Sequence, residues 1–178
     1  RGLKAAKRAV NRDPANPMAH ALLGAYLNLQ DRPDEATAAF ERATALDPYL
    51  SAPLYGLAML GRRQGDLAAA EDAAMSIVQA TPWDDEGLYL LGVVRLERGD
   101  SLRALTAFER SVEQNPRRPE ALYETGRLSH ALGKIDEAIR LLQGSVDLAP
   151  GRARHHADLV SALLADDRSD EARSALAL

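Results

Sequence analysis

Four histidines are the first residues to test for chemistry, and they do not form a catalytic or metal-binding set. They are His20, His130, His155 and His156. His155 and His156 are adjacent, so they point about 100° apart on a helix, whereas histidines that share a zinc ion from one helix stand four residues apart. The chain has no cysteine, no glycine-rich phosphate loop and no serine placed beside a base. We predict no catalytic, cofactor or metal site, and we expect His20 and His156 to pack within the core.

The composition narrows the class of partner. The formal net charge is -4, which gives no general attraction to nucleic acid or to an anionic membrane surface. No apolar run approaches the roughly 18 to 20 residues that span a bilayer. We therefore predict no nucleic-acid partner and no direct membrane insertion. The absence of cysteine is compatible with both the cytoplasm and the bacterial periplasm, so the localisation stays open. Arginine far outnumbers lysine, which indicates a bacterial source with a GC-rich genome.

The sequence repeats itself every 34 residues. One ladder of prolines has this spacing: Pro14, Pro48, Pro82, Pro116 and Pro150. A ladder of alanines has it as well: Ala36, Ala70, Ala104, Ala138 and Ala172. Two independent ladders with one period predict a repeat protein whose units stack on one another.

Each unit reads as a helix, a turn and a second helix. In the best-defined unit Leu88 and Leu91 share one apolar helical face, Gly99 breaks the helix, and Ala104 and Phe108 continue the spacing on a second helix. We predict a single array over residues 1–178. Its segments are 1–16 (the second helix of a truncated repeat), the full repeats 17–50, 51–84, 85–118 and 119–152, and a truncated fifth repeat over 153–178.

The turns and the small residues predict local geometry. Gly65, Gly99 and Gly133 end first helices in a left-handed conformation, and Asp66 and Asp100 cap the helices that follow. Small side chains on first helices are expected to face alanines on second helices, which lets the two backbones approach closely. The expected pairs are Gly24 with Ala36, Ala58 with Ala70, Gly92 with Ala104, and Gly126 with Ala138; the fifth repeat has Val160 in this place and should pack wider.

The period, the layout and the residue types resemble the tetratricopeptide repeat family. The family's pattern of a large residue, Leu-Gly, an aromatic, Ala, an aromatic, Ala and Pro is similar to Leu88, Leu91-Gly92, Arg95, Ala104, Phe108, Ser111 and Pro116. The sequence departs from the pattern with histidine in the bulky place at 20 and 156, and with Arg95 or Ser129 in place of an aromatic. The resemblance implies an all-α fold, a right-handed superhelical solenoid of antiparallel helix pairs. It also implies that the first helices line a concave groove, and that the protein is a scaffold or adaptor without chemistry of its own.

By the same resemblance, fixed places in each repeat line the groove. The resulting partner-binding candidates are Tyr55, Met59, Arg62, Arg63, Glu86, Tyr89, Val93, Glu97, Glu120, Tyr123, Glu124, Arg127 and His130, and Asp158 adds a further charge. Three tyrosines in this set recur every 34 residues. They would offer rigid contact area with a polar tip to a partner, or they pack between neighbouring first helices, and the two roles are compatible. The mixed charges argue against a purely acidic or purely basic ligand.

Trp83 is the only tryptophan and lies in the turn between the repeats 51–84 and 85–118. It either anchors a partner or covers the seam between neighbouring repeats, and the seam is the favoured interpretation.

The leading functional hypothesis is a protein–protein interaction scaffold, a segment of a larger bacterial protein, that binds a peptide or a helix of its partner in the groove. The alternative is a repeat arm of a glycosyltransferase or of a polysaccharide-export assembly, with a glycan stacked on the tyrosines. A purely structural spacer is a third possibility. Because both ends resemble cut repeats, we also expect end-to-end self-association, or fraying beyond Ala172 around Ala175 and Leu176.

Overall fold

The computed structural model describes residues 1–176, with side chains up to Ala175, so the predicted exposure of the Leu176 side chain lies outside the described part. Within residues 1–176 the chain forms eleven α-helices and no strand, which confirms the all-α prediction. The helices are α1 Gly2–Arg12, α2 Pro17–Leu29, α3 Pro33–Leu46, α4 Ser51–Gln64, α5 Leu67–Ala80, α6 Asp85–Glu97, α7 Ser101–Gln114, α8 Pro119–Ala131, α9 Ile135–Leu148, α10 Ala153–Ala165 and α11 Ser169–Leu176.

The turns inside the helix pairs follow the predicted chemistry. Gly65, Gly99 and Gly133 have φ angles of 80°, 82° and 75°, the left-handed region that glycine enters without steric cost. At the two remaining turns Asp31 and Asp167 take the same conformation, with φ of 55° and 57°. Aspartate tolerates this region better than most residues because its short side chain bonds locally.

Both predicted caps are present. The Ala69 amide donates to Asp66 Oδ1 at 3.0 Å, and the Arg103 amide donates to Asp100 Oδ1 at 3.1 Å. These bonds satisfy amides that a helix start leaves without a partner. Lys134 stands at the corresponding place before α9 and makes no such bond.

The backbone divides into two compact units, the first from Arg1 to Arg98 and the second from Gly99 onward. In the first unit α2 packs on α3 and α4 packs on α5, while the first helices α2, α4 and α6 contact one another in succession. In the second unit α8 packs on α9 and α10 packs on α11, and α8 also contacts α10. Short turns make the paired helices antiparallel neighbours. A single array through both units stays a prediction.

The core of the first unit is built around Phe40. A methyl group added at Gly24 would lie 2.7 Å from the Phe40 ring, and one added at Gly56 would lie 2.5 Å from it. The ring therefore fills the space that two glycines leave on neighbouring first helices. The predicted contact of Gly24 with Ala36 needs correction, because the nearest side chain is Phe40, one helical turn further along.

In the core of the second unit an aliphatic side chain, rather than an aromatic ring, fills the space beside a glycine. A methyl group at Gly126 would lie 2.9 Å from Leu142 Cγ and 3.2 Å from the Ala138 carbonyl oxygen. Leu142 as well as the predicted Ala138 therefore faces this glycine. Val160 is partly buried against the same hydrophobic cluster, and the wider packing expected there stays a prediction.

Arg95 stands where the family pattern has an aromatic residue, and an ion pair compensates for it. Its Nε donates to Glu71 Oε1 at 2.9 Å, and Arg98 bonds the other carboxylate oxygen of Glu71. Glu71 is only 6% exposed. Burial raises the pKa of this carboxyl, but the bonds from Arg95 and Arg98 outweigh burial and hold the pKa below its usual value. Glu71 is therefore charged and held within the first unit.

Candidate functional site

The first helices of the first unit expose large apolar side chains. The exposed fractions are 57% for Met18, 45% for Leu22 and 80% for Leu29, all on α2, and 51% for Met59 on α4. Because α2 contacts α4 and α4 contacts α6, we call the side of these helices that carries Met18, Leu22, Leu29 and Met59 the first-helix face. Large apolar side chains that stay exposed together on neighbouring helices favour an interaction site.

Sequence reasoning missed three of these residues. Met18, Leu22, Ala25 and Leu29 are separated by 4, 3 and 4 residues, which places them on one side of α2. The signal was present, because they occupy the groove places of their own repeat. They were overlooked because the same spacing is also typical of a buried helix face.

Five side chains of the first-helix face line an open pocket of about 380 Å³. Met59, Arg62, Arg63 and Glu97 were predicted groove residues, and the structure brings all four together here. Asn28, at the end of α2, is the fifth and was not predicted.

The two arginines of this pocket differ in how strongly their guanidinium groups are held by ion pairs within the chain. Arg62 donates from Nε and Nη2 to the two carboxylate oxygens of Glu97, at 2.9 and 2.5 Å. This bond raises the pKa of the Arg62 guanidinium against the effect of burial. Arg63 has only a long contact of 3.7 Å to Asp31, and both of those side chains are well exposed. Arg63 is therefore the arginine of the pocket that is not held in a bidentate ion pair.

The side-chain oxygen of Asn28 lacks a hydrogen bond within the described part of the chain. Its Oδ1 atom is buried and has no hydrogen-bond partner among the residues that the structure describes. An unpaired buried acceptor costs roughly 1–3 kcal/mol of stability, and because this oxygen is closed to solvent it is not a contact atom of the pocket.

The remaining candidates of the first unit are only partly available. Tyr55 donates its hydroxyl to Asp84 Oδ2 at 2.7 Å, and Asp84 also accepts from the Gly87 amide at 3.2 Å as the cap of α6. The polar tip of Tyr55 is therefore used within the unit. Tyr89 and Val93 are half-buried and Glu86 is exposed on α6, so their contact with a partner stays a prediction.

The side chain of Tyr123 in the second unit is buried by packing and is not exposed to a partner. It is 3% exposed, and its hydroxyl donates to Asp158. Its ring stacks on His155 with centroids 4.2 Å apart and 8° between the planes, and the Arg154 guanidinium lies 5.2 Å from the ring centroid. Burial and the bond to Asp158 raise its pKa. Of the two roles predicted for the tyrosines, the structure gives Tyr123 the packing role, and its place among the directly binding residues needs correction.

The histidines are arranged differently from the prediction. His155 is the buried one, with 4% of its surface exposed. Ser145 donates to the Pro119 carbonyl at 2.7 Å, so its hydroxyl accepts from Nδ1 of His155, also at 2.7 Å. Burial, helped by the charge of Arg152, lowers the pKa of His155, which is therefore neutral.

His20 and His156 are half-buried rather than core residues. Nε2 of His20 lies 3.0 Å from the Pro14 carbonyl oxygen, and Nε2 of His156 lies 2.8 Å from the Pro150 carbonyl oxygen. Both prolines belong to the proline ladder. The ring therefore ties each first helix to the turn before it, where the family has a bulky residue.

Three of the other candidates in the second unit, Glu120, Glu124 and Arg127, form ion pairs within that unit. Glu124 bonds Arg127 at 2.7 Å, and Glu120 bonds Arg152 at 2.6 Å. The bond to Glu124 raises the pKa of Arg127 although burial opposes it. His130 is half-buried at the end of α8. None of these contacts tests partner binding, which stays a prediction for all of these residues.

Trp83 does not cover the seam between repeats, because it is 69% exposed. The favoured interpretation of this residue was therefore wrong, and it is an exposed turn residue.

Among the described residues no group of three or more histidine or acidic side chains could hold a metal ion. No helix in the described part of the chain has both the length and the apolar character needed to cross a membrane.

Comparison with known proteins completes the assignment. No curated protein matches the chain. The solved structure of YrrB, a TPR protein with an unusual peptide-binding site, has a TM-score of 0.83 and 20% identity, covering 98% of this chain and 90% of that one. PilF of Pseudomonas aeruginosa has a TM-score of 0.85 and 20% identity over 96% of this chain and 78% of its own. MamA from Desulfovibrio magneticus RS-1 has a TM-score of 0.77 and 20% identity over 90% and 91%.

These structural likenesses show the fold. The sequence model of the tetratricopeptide repeat matches residues 1–51, 89–153 and 131–178, which is well over half of the chain. With the 34-residue helix pairs already described, the match confirms the resemblance read from the sequence: the chain belongs to the tetratricopeptide repeat family.

Proposed function

We propose that the first-helix face of the first unit binds a peptide segment of a protein partner, and that the chain is a protein-interaction scaffold without chemistry of its own. The observation that carries the proposal is the exposure of Met18, Leu22, Leu29 and Met59 on adjacent first helices. Large apolar side chains that remain exposed together favour a protein partner, because covering them releases water from apolar surface.

Family membership supports the same class of function, since tetratricopeptide repeats are mostly scaffolds and adaptors. The likeness to YrrB adds a precedent, because that protein has a peptide-binding site. Within the first unit the predicted residues Glu86, Tyr89 and Val93 would extend the contact onto α6. Tyr89→Ala should then weaken partner binding by about 1–3 kcal/mol without unfolding the chain.

The test compares two leucines in a capture experiment with the full chain. Leu22 lies on the first-helix face, whereas Leu102 lies on the second helix α7 and is also well exposed. A bacterial lysate is passed over the wild type, Leu22→Asp and Leu102→Asp, and retained proteins are identified by mass spectrometry. The proposal expects a defined protein that Leu22→Asp loses and Leu102→Asp keeps. Equal retention by all three would contradict it.

A glycan-contacting arm remains a second candidate because of two exposed aromatic residues. Tyr49 and Trp83 occupy the same place in consecutive inter-repeat turns, and both are well exposed. Sugar rings can stack on such side chains. Because Trp83 is the only tryptophan, its fluorescence reports directly on a titration with bacterial polysaccharide fragments. A saturable change supports this candidate, and a flat titration removes it.

A bacterial source and end-to-end self-association also stay predictions. Light scattering over a range of protein concentrations checks the second, because self-association raises the apparent mass as concentration rises.

A further inference from the structure

We propose that a groove between the second helices α3 and α5 is a further interaction surface of the first unit, and that it binds a lysine or arginine side chain from a basic segment of a protein partner. The groove is open and has a volume of about 400 Å³. We call it the acidic groove, and the residues that define it are Glu41, Leu54, Leu57, Asp66, Asp72 and Ala73. This surface is separate from the first-helix face.

The acidic groove lies on the opposite side of α4 from the first-helix face. Successive residues of a helix are turned by about 100°, so Leu57 and Met59 point about 200° apart. Met59 and Arg63 line the pocket of the first-helix face, whereas Leu54 and Leu57 line the acidic groove. A partner segment bound in the groove would therefore leave the first-helix face free.

Small side chains on α5 leave room for this groove. Both α3 and α5 pack on α4, and α5 contributes Ala69 and Ala73 to the space between them. Leu54 is 6% exposed and Leu57 is half-buried, so the floor of the groove is apolar. Lysine and arginine bury the methylene groups of their side chains on apolar surface of this kind, while the charged end stays in water.

The polar lining of the acidic groove carries one sign of charge. Among the described residues that line it, Glu41, Asp66 and Asp72 are acidic and none is basic. All three are exposed, and none of them forms an ion pair within the described part of the chain. Asp66 caps α5 through Oδ1, which leaves its other oxygen available. A cationic side chain in the groove would therefore meet three carboxylates without displacing an existing ion pair.

The equivalent groove of the second unit indicates that the fold does not impose this charge. It lies between α9 and α11, has Leu159 in its lining and a volume of about 300 Å³. Leu159 stands three repeats after Leu57. The three places that are acidic in the first unit carry other residues here: Gln143 for Glu41, Arg168 for Asp66 and Ser174 for Asp72. Glu171 in this second groove is paired with Arg168 at 2.6 Å.

A basic protein segment fits the acidic groove better than the other ligands that carboxylates attract or meet. A metal ion needs ligands that converge, and no group of three acidic or histidine side chains among the described residues could hold one. The apolar floor contributes to the binding of a methylene chain but adds nothing to the binding of a hydrated ion. Nucleic acid is repelled by unpaired carboxylates.

The experiment selects peptides on the full chain and uses two matched variants. The groove variant combines Glu41→Gln with Asp72→Ser, so that both places carry the residues of the second unit, and it keeps Asp66 because this residue caps α5. The control variant combines Glu113→Gln with Asp136→Asn, which removes the same number of charges from exposed places in the second unit. A displayed library of random dodecapeptides is selected on the wild type after depletion on the groove variant.

The selected peptides are synthesised with lysine, norleucine or alanine at the enriched position. Norleucine keeps the methylene groups of lysine and lacks its charge, so the three peptides separate the contribution of the apolar floor from that of the carboxylates. Affinities are measured by fluorescence polarisation on the wild type, the groove variant, the control variant and Leu22→Asp. Circular dichroism checks that each variant folds, which is expected because the replaced side chains of the groove are exposed.

We expect lysine or arginine to be enriched at one position of the selected peptides. The lysine peptide should bind the wild type about ten-fold more tightly than the norleucine peptide, and the norleucine peptide should bind more tightly than the alanine peptide. The groove variant should lose the preference for lysine, whereas the control variant and Leu22→Asp should keep it. The preference should also shrink as the salt concentration rises, because salt screens exposed charges.

Four results would overturn the inference. If no peptide distinguishes the wild type from the groove variant, or if norleucine serves as well as lysine, the groove does not recognise a basic side chain. An equal loss on the control variant would assign binding to the net charge of the chain, and an equal loss on Leu22→Asp would place the peptide on the first-helix face. If light scattering shows self-association of the wild type and not of the groove variant, the occupant is a second copy of this chain. The capture experiment with Leu22→Asp tests the first-helix face separately, so failure of the groove leaves the proposed function standing.

Discussion

Replacing Arg95 by leucine should destabilise the first unit at neutral pH and much less so in acid. Arg95 supplies one of two charge-assisted bonds to Glu71, which is 6% exposed. Removing one partner of a buried ion pair typically costs about 3–5 kcal/mol, because it leaves a buried charge without compensation. Arg98 keeps its bond to Glu71, so we expect about 2–3 kcal/mol for Arg95→Leu.

The dependence on pH follows from the pKa of Glu71. Its pKa in the folded chain lies below the usual value of 4.5, since the bonds to the arginines outweigh burial. Between these two pKa values the unfolded chain holds more protons, so the stabilisation is complete above about 4.5 and is lost as the pH falls through the folded pKa. Once protonated, Glu71 no longer leaves a buried charge when Arg95 is missing. The cost of Arg95→Leu should therefore shrink in acid.

The assay is urea unfolding followed by far-ultraviolet circular dichroism at pH 7 and pH 3.5. The double variant Glu71→Leu with Arg95→Leu serves as the control, because replacing a whole buried pair by apolar residues is often neutral or stabilising. We expect the double variant to be more stable than Arg95→Leu at pH 7. An equal cost of Arg95→Leu at the two pH values, or a cost below about 0.5 kcal/mol at pH 7, would refute the reasoning.

Four smaller changes test other parts of the structure. Gly56→Ala should destabilise by about 1–2 kcal/mol, because the new methyl group clashes with Phe40 and overpacking exceeds the roughly 1 kcal/mol gained in helix propensity. Ser129→Ala should stabilise by about 1 kcal/mol, since the Ser129 hydroxyl is buried without a partner among the described residues. Lys134→Asp should stabilise by about 0.5–1 kcal/mol by capping α9 as aspartates cap α5 and α7. Stability should fall as the pH drops below about 6.5, because the pKa of His155 is lowered in the folded chain and only the unfolded chain takes up the proton there.

The same unfolding measurement checks all four. A stabilised Gly56→Ala would mean that the ring of Phe40 is free to move, and a destabilised Ser129→Ala would mean that its hydroxyl has a partner. Lys134→Asp is contradicted by an unchanged midpoint. For His155, the slope of stability between pH 6.5 and 5 should flatten in His155→Phe, and an unchanged slope would assign it to other groups.

Local chemistry made much of the fold predictable. The conformations of Gly65 and Gly99 and the caps by Asp66 and Asp100 depend on residues within a few positions of one another. Because the sequence repeats every 34 residues, the prediction for one repeat applies to the corresponding residues of the others. The contact of Gly24 was misplaced by one turn because the choice between Ala36 and Phe40 depends on how two helices cross.

The site was harder to predict because the exposure of a side chain depends on the residues that pack around it. Tyr123 has the same place in its repeat as Tyr55, yet it is buried by His155 and Asp158, which lie more than thirty residues further along. The stripe from Met18 to Leu29 shows the reverse case. Its spacing is that of a packed helix face, and only the structure reveals that no described helix covers it. Periodicity identifies a face, whereas the arrangement of helices decides whether it is core or surface.

The methionine methyl groups offer the most direct test of the account, because they report on both sides of the helix layer. Met18 and Met59 lie on the first-helix face, and Met75 lies on the second helix α5. The full chain, labelled with ¹³C at these methyl groups, is titrated with the partner protein that the capture experiment on Leu22 identifies, and the spectra are followed by NMR. The account predicts that the Met18 and Met59 signals shift with saturation while Met75 stays in place. A shift of Met75 with Met18 and Met59 unmoved would contradict it.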